Sequence, residues 1–85
     1  MHIPTSTDVA SDLRRCIYAS MSEDGFEDKM YKECFIEAIE TLELVKSNLD
    51  QDNYTNIIKL ILRKNPNNIK RREDLLTASI LLLNS

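Results

Sequence analysis

The run from Phe26 to Val45, FEDKMYKECFIEAIETLELV, is the longest uninterrupted helical pattern in the chain and constrains its folding more than any other segment. Met30, Cys34, Ala38 with Ile39, Leu42 and Val45 recur every three or four residues, which places them along one face of an α-helix. That face is the expected core seam. Glu27, Asp28, Glu33, Glu37, Glu40 and Glu43 fill the rest beside only Lys29 and Lys32, so the outer surface should be strongly acidic. The segments on either side read as a lead-in helix and two shorter helices that fold back onto this seam.

With 85 residues the chain makes one domain. It lies near the size at which a single core becomes marginal, because chains this small bury only about 60% of their unfolded surface. Such chains gain stability from a partner. Nine Ile and eleven Leu against three Gly and Pro together argue against disorder from end to end. Trp is absent, so the core should be aliphatic, as in helical bundles. Cys16 and Cys34 fall on apolar helix faces and read as buried free thiols of a reducing compartment. The start MHIPTSTD has no basic region leading into an apolar run, and no apolar run approaches the roughly 18 residues of a membrane span. A cytoplasmic protein without membrane contact is expected.

Residues 1–6 should form a disordered N-terminus, leaving 7–85 as a single helical regulatory domain. Thr5, Ser6 and Thr7 are candidate N-caps, and Asp8 suits the positive end of a helix dipole. Val9, Leu13, Cys16, Ile17 and Met21 then keep helical rhythm from Asp8 to about Met21, until SEDG breaks it at Gly25. The second helix should end at Lys46 to Asn48. Leu49 should plug the short connection, and Asp50, Asp52 and Asn53 can each cap a third helix carrying Tyr54, Ile57, Ile58, Ile61 and Leu62 inward. Asn65-Pro66 stops that helix, since the residue before proline leaves the helical region and proline has no N–H to continue the ladder. Asn67 or Asn68 then caps a fourth helix reaching about Leu83. Its expected inward residues are Ile69, Leu75, Leu76, Ser79, Ile80 and Leu83, with Leu81 and Leu82 on the other side. A helix end that is apolar all round needs cover all round, so Ile80, Leu81, Leu82 and Leu83 are the expected interface of a homodimer. The fold class read from these patterns is all-α, a small bundle of three to four helices completed by homodimerisation.

Charge is segregated along the chain. Residues 23–43 hold eight acids and two bases, whereas residues 59–72 hold Lys59, Arg63, Lys64, Lys70, Arg71 and Arg72 and no acid. Six bases around one helix corner could contact phosphates, each adding a salt-sensitive share of affinity. The segment has no interleaved aromatic residues for base stacking, and the protein as a whole is acidic, so a solvated or internally paired corner is the competing reading. Glu33, Glu37 and Glu40 mark the acidic face, either as a solubilising surface or as a docking face for a basic partner. No phosphate loop, GxSxG or HExxH occurs, and His2 is the only histidine. These observations predict a non-enzyme that needs no cofactor or metal.

From Glu37 to Leu62, EAIETLELVKSNLDQDNYTNIIKLIL, the chain resembles the small enterobacterial biofilm regulators of the AriR/YmgA/YcgZ group, also called two-component-system connector proteins. The resemblance is carried by Ala38-Ile39, Leu42, Leu44, Asn48, Leu49, Asn53 and Leu62, and continues through Asp74-Leu75-Leu76 and Ile80 to Leu83. It spans roughly residues 31–83. It implies an all-helical, cytoplasmic homodimer without enzymatic activity, which modulates biofilm or stress gene expression by binding a response regulator of a phosphorelay. The alternative is a small dimeric DNA-binding transcriptional modulator using the basic corner 59–72.

Overall fold

Each α-helix among the described residues opens on a side chain that takes over an otherwise unpaired backbone N–H. The computed structural model describes residues 3–84 and contains helices α1 (Ser6–Ala19), α2 (Lys29–Val45), α3 (Gln51–Leu62) and α4 (Asn68–Leu83), with 3-10 turns at Gly25–Glu27 and Lys46–Asn48. Thr5 and Asp8 form a reciprocal capping box at α1, the Asp8 carboxylate accepting from Thr5 N–H at 2.8 Å. Asp28 caps α2, Asp50 caps α3 and Asn67 caps α4, each accepting from the N–H three residues on at 3.0, 3.2 and 3.1 Å. Such caps contribute about 1 kcal/mol each, and they decide where the helices start. Of the residues expected to be disordered, Met1 and His2 lie outside the described residues, while Thr5 and Ser6 belong to the capped start of α1. Residues Phe26 to Asp28 precede α2 rather than join it, because Asp28 is held extended as the cap.

The arrangement is all-α, with no strand among the described residues, and no helix is long and apolar enough to cross a membrane. The Cα atoms occupy a slab of 36 × 29 × 16 Å. Its organising element is α1 and not the longer α2: α1 packs extensively on both α2 and α4, while α3 rests on α4. Val9, Leu13 and Cys16 are fully buried along α1, matched by Ala38 and Leu42 from α2, Ile57 from α3, and Ala78 and Leu82 from α4. A large side chain so placed contributes roughly 1.5–3 kcal/mol over an exposed one. Leu49 packs against this core as the expected plug between α2 and α3.

Several helix faces are rotated from the expected register. In α2 the seam begins at buried Tyr31 rather than Met30, which is 64% exposed, and in α1 Met21 lies beyond the helix end at 61% exposed. Leu62 faces solvent at the end of α3, its place against the core taken by Leu60. The largest rotation is in α4. Leu75, Ala78, Ser79 and Leu82 turn inward and Leu81 packs at the core edge, whereas Ile69, Leu76, Ile80 and Leu83 are exposed. The inward stripe uses the small residues Ala78 and Ser79, which let α4 approach α1 closely; the hydroxyl of Ser79 donates to Leu76 O at 2.7 Å and so is satisfied inside the core. Of the four residues of the expected dimer interface, Leu82 is thus fully buried within the chain and Leu81 half-buried, while Ile80 and Leu83 are exposed.

One long-range contact locks the end of α1. Ser20 is fully buried and caps α1, whose last turn contains no basic residue. Arg72, from α4, donates through Nε to Ser20 Oγ at 2.9 Å and through an Nη nitrogen to Ser20 O at 2.8 Å. A cation thus stands at the negative end of the α1 dipole, supplied from 52 residues away.

The inward face of α4 and the outward end of α3 make different predictions for urea denaturation. Leu82→Ala should lower stability by about 2–5 kcal/mol, as a cavity in the core does. Leu62→Ala should change it by no more than about 0.5 kcal/mol, as exposed substitutions do. A near-neutral Leu82→Ala would return α4 to the rotation in which Leu82 faces out.

Candidate functional site

The six bases that stand together in sequence are divided by the fold. Arg72 is committed to the end of α1. Arg71 is half-buried, its guanidinium carbon 4.1 Å from the centre of the Phe26 ring and 5.9 Å from that of Tyr31. Arg63 reaches Asp74 at 3.5 Å, which ties the start of the corner to α4. Lys59, Lys64 and Lys70 remain exposed and make no ion pair among the described residues. Removing Arg71 and Arg72 together would therefore disturb the fold before it reported on phosphate binding.

In place of a uniform basic surface, the corner meets an aromatic wall. Phe26 and Tyr31 stand edge to face with centroids 5.0 Å apart, and Tyr31 stacks on Phe35 at 5.8 Å with the planes 20° apart. Lys64 and Arg71 face this wall across a cleft of about 390 Å³. Lys64 has φ +49°, the left-handed conformation that turns the chain out of α3. Base-neighbouring aromatics were absent from the basic segment itself. The i, i+4 spacing of Tyr31 and Phe35 signals a shared face, but only the tertiary fold brings α4 to it.

The acidic face is a continuous stripe. Met30, Glu33, Glu37, Glu40 and Leu44 follow one another at intervals of three and four along α2, and all five are exposed. Glu37 accepts from Arg15 at 3.0 Å, and this pair is solvent-facing and of small energetic weight; Arg15 also binds Asp12, whose side chain is largely covered, at 2.7 Å. Glu33 and Glu40 make no ion pair among the described residues. Between α1 and α2, Tyr18, Met30 and Cys34 border a groove of about 460 Å³ beside Arg15, Glu33 and Glu37.

A second, almost wholly apolar groove of about 360 Å³ lies between α1 and α4, lined by Ile17, Met21, Ile69 and Leu76 with Arg72 and Glu73. Tyr18 and Arg14 extend it along α1. Ile69, Glu73, Leu76, Ile80 and Leu83 form the exposed stripe of α4 at alternating spacings of four and three, the seam pattern of a helix that packs on another helix.

Comparison with family models, with curated proteins and with solved structures gives no match for the chain.

The titratable groups inside the bundle share one direction. Burial pushes the Cys16 thiol from 9.0 up to about 12, and the neighbouring Cys34 and Asp12 act the same way. Burial raises Tyr31 against the opposing charge of Arg71. Tyr54 is raised because its hydroxyl donates to the Glu43 carboxylate at 2.8 Å, with burial adding to it. Each group holds its proton more tightly folded than unfolded, so its contribution is complete below the unfolded pKa and disappears as pH rises through the folded one. The urea midpoint should fall progressively between about pH 9 and about pH 12, and Cys16→Ala should flatten the fall. A midpoint independent of pH over that interval would contradict the burial of these groups.

Proposed function

We propose that the chain is a non-catalytic regulatory protein, of the kind that the two-component-system connectors represent, acting in the cytoplasm as a homodimer that docks a response regulator of a phosphorelay. The observation that carries this reading is the α2 stripe, in which Glu33, Glu37 and Glu40 lie exposed between Met30 and Leu44. An acidic centre between two exposed apolar side chains suits a partner helix or surface with basic residues between apolar ones. Such complementarity sets orientation and association rate, while the apolar ends supply area to bury. Affinity capture from nuclease-treated lysate, with mass spectrometry of retained proteins, tests it. The native chain should retain a phosphorelay regulator, and the triple variant Glu33→Lys, Glu37→Lys, Glu40→Lys should lose it while keeping its helical circular dichroism. Equal retention by both proteins removes the acidic stripe from the mechanism.

The homodimer is assigned to the exposed stripe of α4 and the adjoining α1 groove instead of the whole C-terminal run. A twofold axis lets one patch cover its own copy, so Leu76 and Ile80 at the middle of the stripe would meet their equivalents. Glu73, the polar member of the stripe, would favour one register at some expense in stability. Light scattering at tens of micromolar should give a dimer, and Leu76→Glu with Ile80→Glu should give a folded monomer. A monomeric native chain overturns the assignment.

The DNA-binding alternative now rests on Lys59, Lys64 and Lys70, the members of the corner without internal ion pairs among the described residues. Its mark is a set of captured proteins that disappears on nuclease treatment.

A further inference from the structure

Of the six bases at the α3–α4 corner only Arg63 pairs with a carboxylate among the described residues, and two of the others, Lys64 and Arg71, border the aromatic cleft. Along its rim Lys32 pairs with Glu27 at 3.0 Å, both side chains well exposed. Lys64 and Arg71 have no carboxylate partner among the described residues. Arg71 lies over the Phe26 ring at 4.1 Å, which occupies a face of the guanidinium; its side-chain hydrogen bond with Tyr31 uses part of the N–H edge and leaves further donors for an acceptor. Lys64 is held at the cleft by the left-handed turn that ends α3. Two cations thus meet a wall of Phe35 and exposed Ile36, backed by the Phe26 and Tyr31 rings.

We infer that this cleft is a binding site for a small organic anion that has a flat apolar body, its phosphate or carboxylate held by Lys64 and Arg71 and its ring laid against Phe35 and Ile36. Four features combine in the argument. The two cations have no carboxylate partner among the described residues. Phe35 is stacked on Tyr31 at 5.8 Å and Tyr31 is braced by Phe26 at 5.0 Å, so the wall is set before a ligand arrives and little is lost in ordering it. The cleft's volume, about 390 Å³, is at the lower end of the roughly 300–1,000 Å³ typical of small-molecule sites. That size suits a single nucleotide or aromatic acid and not a stretch of polymer. Finally, Glu27 is 84% exposed in its pair with Lys32, so this carboxylate can swing away from an incoming anion without uncovering a buried charge. The site lies apart from the acidic α2 stripe and stands independently of the docking reading.

Amide chemical-shift titrations of the full-length protein test the inference, with four probes: adenosine 5′-monophosphate, benzoate, adenosine and inorganic phosphate. Ring and anion should act together. Adenosine 5′-monophosphate or benzoate should shift the amides of Phe35, Ile36 and Lys64 saturably, at least about tenfold more tightly than adenosine or phosphate. Which of the two binds better identifies the head group as phosphate or carboxylate. Lys64→Gly should weaken that binding at least about fivefold; it removes the ammonium while glycine keeps the left-handed turn, so the variant stays folded. Inorganic phosphate binding as tightly as the nucleotide would reduce the cleft to a charged corner. Adenosine binding as tightly would reduce it to an apolar groove. No saturable shift from any probe at roughly 10 mM, or equal binding by Lys64→Gly, would overturn the proposal.

Discussion

Burial of the α1 stripe Val9, Leu13 and Cys16 from two sides is the constraint on which the other elements depend. Helix α2 covers one flank and α4 the other, and α3 reaches the assembly mainly through α4. Without α1 the seams of α2 and α4 would have no common surface. The end of α1 is secured the same way, because Arg72 on α4 supplies the cation that its own last turn lacks. That bond couples the C-terminal end of α1, the Gly25–Glu27 turn and the start of α4, since Arg72 also lies 5.4 Å from the centre of the Phe26 ring. Gly25, at φ +57°, allows the chain to turn there without the strain another residue would meet.

The geometry has a cost in coverage. A slab whose Cα atoms span 16 Å in its thin direction has room for little more than one buried layer, and large side chains on the outer helix faces have nothing to pack against. Met30, Ile36 and Leu44 on α2 and Ile69, Leu76, Ile80 and Leu83 on α4 are the result. The α2 members lie among acids, whereas the α4 members form a seam of helix-packing spacing beside an apolar groove. These different surroundings underlie the different roles proposed for the two faces, charge-selected docking for the first and self-association for the second.

The fold also changes what the basic segment can do. Six bases within fourteen residues suggest a phosphate-binding surface, yet the structure turns Arg72 into a helix cap, lays Arg71 over an aromatic ring and joins Arg63 to Asp74. Asp74 keeps one carboxylate oxygen buried without a hydrogen-bond partner, so this contact satisfies only half of the group. Three lysines and a cation-rimmed aromatic cleft replace the expected basic corner. The ligand inferred for the cleft is accordingly a compact anion and not a polymer backbone.

Much of this protein is determined by its sequence. Caps depend on residues three apart, so Thr5, Asp28, Asp50 and Asn67 fix the helix starts locally, and Asn65-Pro66 ends α3 by backbone sterics alone. The acidic stripe is legible for the same reason, since helical periodicity alone aligns Glu33, Glu37 and Glu40. Tertiary packing decided the rest. Helix α4 has two competing apolar stripes about one residue apart, and the choice of Leu75, Ala78, Ser79 and Leu82 follows from how closely small residues let it approach α1. The cleft was hidden too, because Phe26, Tyr31 and Phe35 lie more than thirty residues from Arg71 and nothing local specifies that they meet. Periodicity shows that a helix has a face; only the neighbour that fits it determines which way the face turns.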